Sequence, residues 1–395
     1  MKKTFLAVVS AALMAVACTV APKQKDYIVC AYVWPSCHDD SLAHRWLWPD
    51  GEGEWEVIRK GNPRFEGHYQ PRRPLLGYGL DDDPAVVEKW IQLALEHGVN
   101  TFVYDWYWYN APDGYSGPYL EDALNKGFLG APSNGKMNFF LMYANHDVKY
   151  NYWNCHKWGD REDLLFNPRV GMEDWKKIVD RVITQYFHLP NYLKINGCPV
   201  FAIFSDRIFK QGFSSDAEAA AAMEYFREEV RKAGFPDLWL QFTPGDGSGL
   251  AKRDPDRMRT DIAALGINSI ACYNMGGFTP DYMEHCARAA AIREKVDSLY
   301  DIPVFPTVSI GWDDSPRFPA KGASDVTRFH NTPEAFATWL QVAKEYADAH
   351  RDTQPPMIMI NAWNEWVEGS YLLPDHLNGY KYLQAVRDVL EGKYE

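Results

Sequence analysis

Short apolar runs rich in β-branched and aromatic residues recur along the chain. Between them, apolar residues return every three or four positions. The short runs are YIVCAYV (27–33), TFVYDWY (101–107), NFFLMYA (138–144), PVFAIF (199–204), LWLQFT (238–243), SIACY (269–273), PVFPTVS (303–309) and MIMINA (357–362). Such continuous apolar runs fit strands buried on both faces. The longer stretches read as helices: DPAVVEKWIQLALEHG, EDWKKIVDRVITQYF, DAEAAAAMEYFREEVRKAG, DYMEHCARAAAIREKVDSLY, TPEAFATWLQVAKEYADAH and GYKYLQAVRDVLEG. The first has Asp81 or Asp83 as N-cap, Pro84 in its first turn and Gly98 as its stop. Weaker helical signals fall near 120–127 and 255–264. Strands alternating with helical crossovers predict an α/β fold: a single (β/α)8 TIM barrel with extended loops after the strands, longest after strands 1, 3 and 7. A doubly wound open sheet is the alternative, but no Gly-rich phosphate loop follows the first strand. No Gly/Ser- or Pro-rich linker divides the chain after residue 26, so residues 27–395 are expected to form one domain.

The first eighteen residues, MKKTFLAVVSAALMAVAC, break this pattern. Two lysines precede an apolar run ending in small residues, which predicts a signal peptide over 1–17. Cys18 follows Ala15-Val16-Ala17, resembling a bacterial lipobox, although leucine is usual where Ala15 stands. Lipidation of Cys18 would make 18–26 a tether and the protein an exported, Gram-negative-type lipoprotein, periplasmic or on the outer membrane or cell surface. Its membrane contact would be through the lipid anchor alone. Ordinary cleavage after Ala17 is the alternative.

Composition narrows the partners. A formal net charge of -12 with no basic block argues against nucleic acid, whose phosphates need clustered Lys and Arg. Fifteen tryptophans and 23 tyrosines supply faces that stack on sugar rings, although a large barrel core also buries many aromatics. Cys30, Cys198 and Cys272 lie in or beside apolar runs and read as buried thiols. Cys37, Cys155 and Cys286 are free to oxidise in an exported chain. No cysteine spacing suggests zinc or redox chemistry.

In a (β/α)8 barrel the chemistry sits where the strands end. Strand 1 releases Tyr32, Trp34 and His38, and strand 2 releases Asp105, Trp106, Tyr107 and Trp108. Strand 3 gives Asn145, His146 and Asp147, strand 6 gives Tyr273 and Asn274, and strand 7 leads to Trp312, Asp313 and Arg317. Strand 8 releases Asn361, Trp363, Asn364, Glu365, Trp366 and Glu368. If NEWVEG begins a helical turn, Glu365 and Glu368 share one side, with Cβ atoms roughly 5–6 Å apart. Carboxylates that close push their pKa values apart, leaving one as acid and the other as base. Glycosidic cleavage needs that division of labour. A solvated first turn, where glutamates favour the helix dipole, is the competing reading. The HDD run at 38–40 does not converge on one ion, so no metal and no cofactor is expected. No G-x-S-x-G elbow is present; GDGSG (245–249) reads as a flexible loop.

WNEWVEG (363–369) resembles the active-site motif of family 99 glycoside hydrolases. With PRFEGHYQPRRPLLGY (63–78), GWDDSPR (311–317) and NAWNEWVEGSYLLPD (361–375), the wider match is to the related WbsX-like group, and it covers residues 27 to 390. The resemblance implies a barrel and a retaining α-glycosidase related to endo-α-mannosidases. Glu365 would remove the proton of the substrate's 2-hydroxyl, whose oxygen attacks C1 to give a 1,2-anhydro sugar. Glu368 would protonate the leaving group and later activate water. The substrate would be an oligo- or polysaccharide, bound by Tyr32, His38, Asp105, Trp106, Trp108, Asn145, His146, Tyr273, Trp312, Asp313, Asn361, Trp363, Asn364 and Trp366. PSCH stands where related chains show PQFH, keeping Pro35 and His38. His146, in YANHD, stands where a glutamate is common, so mannose specificity does not transfer with the motif. The alternatives are a glycosyltransferase or transglycosylase, and a non-catalytic glycan-binding lipoprotein. No DxD-type motif on a nucleotide-binding unit supports a sugar-nucleotide donor.

Overall fold

The structure, a computed structural model, describes residues 27–245, 247–274, 279–325 and 330–394. The signal peptide (1–17), Cys18 and the tether (18–26) expected from the sequence lie outside the described residues.

Eight strands form one parallel sheet: β1 (Ile28–Val33), β2 (Thr101–Asn110), β3 (Asn138–Tyr143), β4 (Cys198–Ile203), β5 (Trp239–Phe242), β6 (Ser269–Ile270), β7 (Thr307–Ser309) and β8 (Met357–Asn361). Their order is β6-β5-β4-β3-β2-β1-β8-β7. A parallel bridge, Ile270 to Val304, joins β6 to the run entering β7. The eight expected strands are therefore present and sequential neighbours pair. β7 begins later than its apolar run because Pro303 and Pro306 lack the N–H a ladder needs. Their carbonyls still accept, from Ile270 N and Met359 N.

The helices follow the periodic stretches. Pro84–Glu96 is capped by the Asp83 carboxylate, which accepts from Ala85 N, while Asp81 is used elsewhere. Helices Met172–Val182, Asp216–Lys232, Pro333–Ala349 and Lys381–Leu390 bury mainly apolar residues, and Tyr282–Leu299 buries His285 and Arg293 beside Tyr282, Cys286 and Val296. The weaker signals correspond to a π-type turn at Ala123–Phe128 and a helix at Pro255–Leu265. The GDGSG segment contains a short helix, Gly247–Leu250, where a flexible loop was expected. Asp246 in it lies outside the described residues.

The segments after β1, β3 and β7 are long. Those after β1 and β3 fold over the same end of the sheet, placing short helices Ser41–Trp46, Trp55–Ile58, Tyr150–Trp153 and Cys155–Trp158 there. Trp153 knits them together, packing against Trp34, Trp48 and Tyr119. The Ser116–Tyr119 strand, which folds back on β2, had no distinct signal in the sequence. The six cysteines of the described residues are free thiols. Among the described residues no helix is long and apolar enough to cross a membrane.

Candidate active site

A cavity of about 500 Å³ opens where the strands end. Side-chain alternation decides which residues reach it. On β2, Asp105 and Tyr107 point in, while Trp106 and Trp108 point out. Trp106 donates to Glu121 Oε1 at 2.8 Å and Trp108 to Ser116 Oγ at 3.3 Å. At the end of β3 and beyond it, Met142, Ala144 and His146 face the cavity, while Asn145 holds the Ser205 backbone through both amide atoms at 2.8 Å.

The segment after β8 differs from the expected helical turn. Asn364–Glu365 pairs antiparallel with Ser370–Tyr371, and residues 366–369 close the hairpin. Gly369 adopts a left-handed φ of +68°, and a Cβ there would lie 2.5 Å from Arg72 Nη2. This hairpin puts both Glu365 and Glu368 on the cavity wall. It is held from behind. Asn364 accepts from Trp34 N at 2.9 Å and donates to Trp34 O at 2.7 Å. Arg72 Nη1 donates to Trp366 O at 2.6 Å and to Val367 O at 3.2 Å, and its other nitrogen binds Asp313.

Of the residues expected to bind substrate, Asp105, His146, Tyr273 and Trp312 line the cavity with the two glutamates. The others do not. Tyr32 lies beneath Tyr273 and donates to Cys272 O at 3.3 Å. His38 is buried, its Nδ1 2.6 Å from Asp81 Oδ1. Asp313 faces the far side of the hairpin, bound by Arg72, His68 and Gln70. Asn361 Oδ1 accepts from Ser370 Oγ at 3.0 Å. Trp363 packs on Phe102, and Trp366 stacks on Tyr371. Most of the motif's aromatic and amide groups thus build the scaffold under the carboxylates.

Two charged residues absent from the expected site govern its electrostatics. Arg317 is buried, with Nη1 2.7 Å from Glu368 Oε1, Nη2 3.4 Å from Glu365 Oε1 and Nε 2.9 Å from Glu54 Oε1. Glu54 is fully buried and also accepts from Trp34 Nε1 and Ser36 Oγ. Arg317 stood in the GWDDSPR run as a bare strand-end cation. Glu54, inside GEGEWEV, had no signal that separates it from a solvent-facing glutamate.

Burial raises the Glu365 carboxyl well above the usual carboxylate range, the nearby Glu368 charge adds to this, and Arg317 opposes it. Glu368 is pushed up to about 7, again by burial first, with Arg317 holding it down. The Asp105 carboxyl is raised well above its usual value by burial and by Glu368. Tyr273 links the acids, donating to Glu365 Oε2 at 3.1 Å and lying 3.4 Å from Asp105 Oδ2. Asp105 Oδ1 has no hydrogen-bond partner. The wall therefore carries three buried carboxyl groups, one buried cation and a free acceptor. Among the described residues no group of three or more His, Cys, Asp or Glu is placed to hold a metal ion.

This scaffold is shared with glycoside hydrolases. A GH99 endo-α-mannosidase from Bacteroides thetaiotaomicron, solved with bis-tris-propane, superposes with a TM-score of 0.58 at 14% identity, covering 93% of this chain and 97% of that one. A glycoside hydrolase-like protein gives 0.57 at 13% identity, over 92% and 94% of the two chains. The sequence also matches the family described as glycosyltransferase WbsX over residues 29–386, and the chain belongs to that family. A relative in Xanthomonas campestris pv. campestris strain B100, the uncharacterized protein WxcX, is 26% identical over 382 residues. The match covers 94% of this chain and 51% of the relative, so the chain spans about half the length of that protein.

Proposed function

We propose that the protein is a glycoside hydrolase cleaving an α-linked glycan with retention. Residues 27–395 are read as a (β/α)8 catalytic domain, with closure through the Ile270–Val304 bridge. The observation that carries the activity is the buried Glu365–Glu368 pair around Arg317 in a cavity large enough for sugar residues. In this reading Glu365 takes the proton of the substrate 2-hydroxyl. The O2–H bond breaks as O2 bonds to C1, and the C1–O bond to the leaving group breaks as Glu368 supplies its proton. Water then opens the 1,2-anhydro ring: its oxygen bonds to C1 as Glu368 takes its proton, and the C1–O2 bond breaks as Glu365 returns its proton to O2. Arg317 lies closer to Glu368 than to Glu365 and opposes the rise that burial gives both carboxyls. With its carboxyl raised, Glu365 must give up its proton before it acts as base, and the free Asp105 oxygen and the Tyr273 hydroxyl stand beside it as polar partners for a sugar hydroxyl.

The family description as a glycosyltransferase supports a second reading, transfer of the sugar to an acceptor hydroxyl in place of water. Product analysis on an α-linked oligosaccharide separates them: hydrolysis gives only shorter products, and transfer gives longer ones. The N-terminal sequence supports export and lipid attachment at Cys18; labelling by a fatty-acid analogue that Cys18→Ser abolishes is the expected result.

A further inference from the structure

The cavity has two chemically different sides. Glu365 and Glu368 follow β8, with Arg317 and Asp105 beside them. β4 lies four strands from β8 in either direction, once the Ile270–Val304 bridge is counted. The end of β3 contributes Met142, and the segments leaving β3, β4 and β5 contribute Ala144, Phe204 and Gly245. This wall is fixed. A Cβ at position 245 would come within 2.6 Å of the Phe204 ring, so glycine lets the ring lie against the backbone. The same ring packs edge-on against Tyr273 at 6.3 Å and His146 at 5.5 Å. Burial pushes the His146 imidazole down to about 4, so it adds no positive charge at neutral pH. His146, Asp147, Lys149 and Asn274 also line the cavity on this side, but Asp147 is held by Arg169 and Lys149 Nζ lies 3.5 Å from Glu162 Oε2, which leaves Met142, Ala144 and Phe204 as an apolar surface.

A pyranose is rigid enough to relate the two sides. If C1 and C2 face Glu368 and Glu365, the opposite edge of the ring, C4 and C5 with the substituent on C5, faces the β3–β5 wall. A hydroxymethyl group there gives up water for a surface that offers its oxygen little to bind, whereas a methyl group loses nothing. We propose that the sugar held beside the glutamates is a 6-deoxyhexose, its C5 methyl lodged against Met142, Ala144 and Phe204. This rests on the hydrolase reading for its orientation, with the glutamates facing C1 and C2.

The test uses matched 4-nitrophenyl α-glycosides of manno, gluco and galacto configuration, in both D and L series, each beside its 6-deoxy counterpart. Binding to Glu365→Gln is followed by the fluorescence of the cavity tryptophans, and release of nitrophenol is measured with the wild-type protein. In any configuration that binds, the 6-deoxy member should bind roughly 10- to 100-fold more tightly than its partner. Ala144→Ser, which puts a hydroxyl on the wall, should narrow that ratio several-fold. Equal or tighter binding of the hydroxymethyl member, or no binding of any pair, overturns the inference. Preferential binding without release by the wild type leaves it standing and counts against the hydrolase reading. Release without a 6-deoxy preference does the reverse.

Discussion

Arg317 is the residue on which the site's chemistry turns. Its guanidinium spans Glu54, Glu365 and Glu368 in a geometry that only a planar fork with several donors can serve. Arg317→Met should destabilise the fold by about 3–5 kcal/mol, because it strands buried carboxylates. Denaturant unfolding measures this; a change under about 1 kcal/mol would mean the network is not a buried ion cluster. Arg317→Lys should keep the fold better yet lower kcat at least tenfold, since one ammonium cannot hold both glutamates. The same electrostatics set the pH response. With Glu368 raised to about 7, an acid role predicts an alkaline limb in kcat/KM near that pH. The stability sign follows from the raised value: the Glu368 contribution is fully present below its ordinary 4.5 and is lost as pH rises through about 7. Glu368→Gln should flatten that decline in a series of unfolding curves. The sequence placed Arg317 at a strand end without a role and hid Glu54 among surface-like residues. Burial made by distant segments is not encoded near either residue.

At the scale of elements, the hairpin after β8 decides the geometry. Spacing alone suggested a helical turn, because an i,i+3 glutamate pair fits one. Pairing of Asn364–Glu365 with Ser370–Tyr371 and the left-handed Gly369 give a hairpin instead. The information lay partly in Gly369, a residue that reads equally as a helix stop or a turn. The brace behind the hairpin gives a direct prediction. Arg72 and the hydrogen bonds from His68 and Ser315 outweigh burial and hold the Asp313 carboxyl below the usual range. Its contribution to stability is therefore present above the ordinary carboxylate pKa and lost as pH falls through the lowered value. Gly369→Ala should cost more than about 1 kcal/mol, from the positive φ and the contact with Arg72, and should lower kcat by loosening both glutamates. Thermal unfolding and steady-state kinetics check the two parts separately. Retained stability and rate would show that the Arg72–Asp313 brace yields without cost.

Over the whole molecule, the alternation of apolar runs and amphipathic stretches made the eight strands and most helices legible before any coordinate. Strands buried on both faces leave that signal because each must be apolar throughout. The cavity-facing set was only partly legible. Strand-end position drew in Trp106, Trp108 and Asn145, and motif proximity Trp363, Asn364 and Trp366, which alternation and backbone bonding turn toward the scaffold. Residues from remote loops, such as Tyr152 and Trp153, enter the cavity through folding over it, which no local pattern announces. The central claim is that one buried glutamate pair performs glycoside cleavage. The measurement that tests it most directly is sugar release from a panel of α-linked polysaccharides, mannans included, by wild type beside Glu365→Gln and Glu368→Gln, each verified as folded. Release by the wild type, reduced about 10²-fold or more in both variants, is the predicted result. Release that survives in both variants would contradict the account.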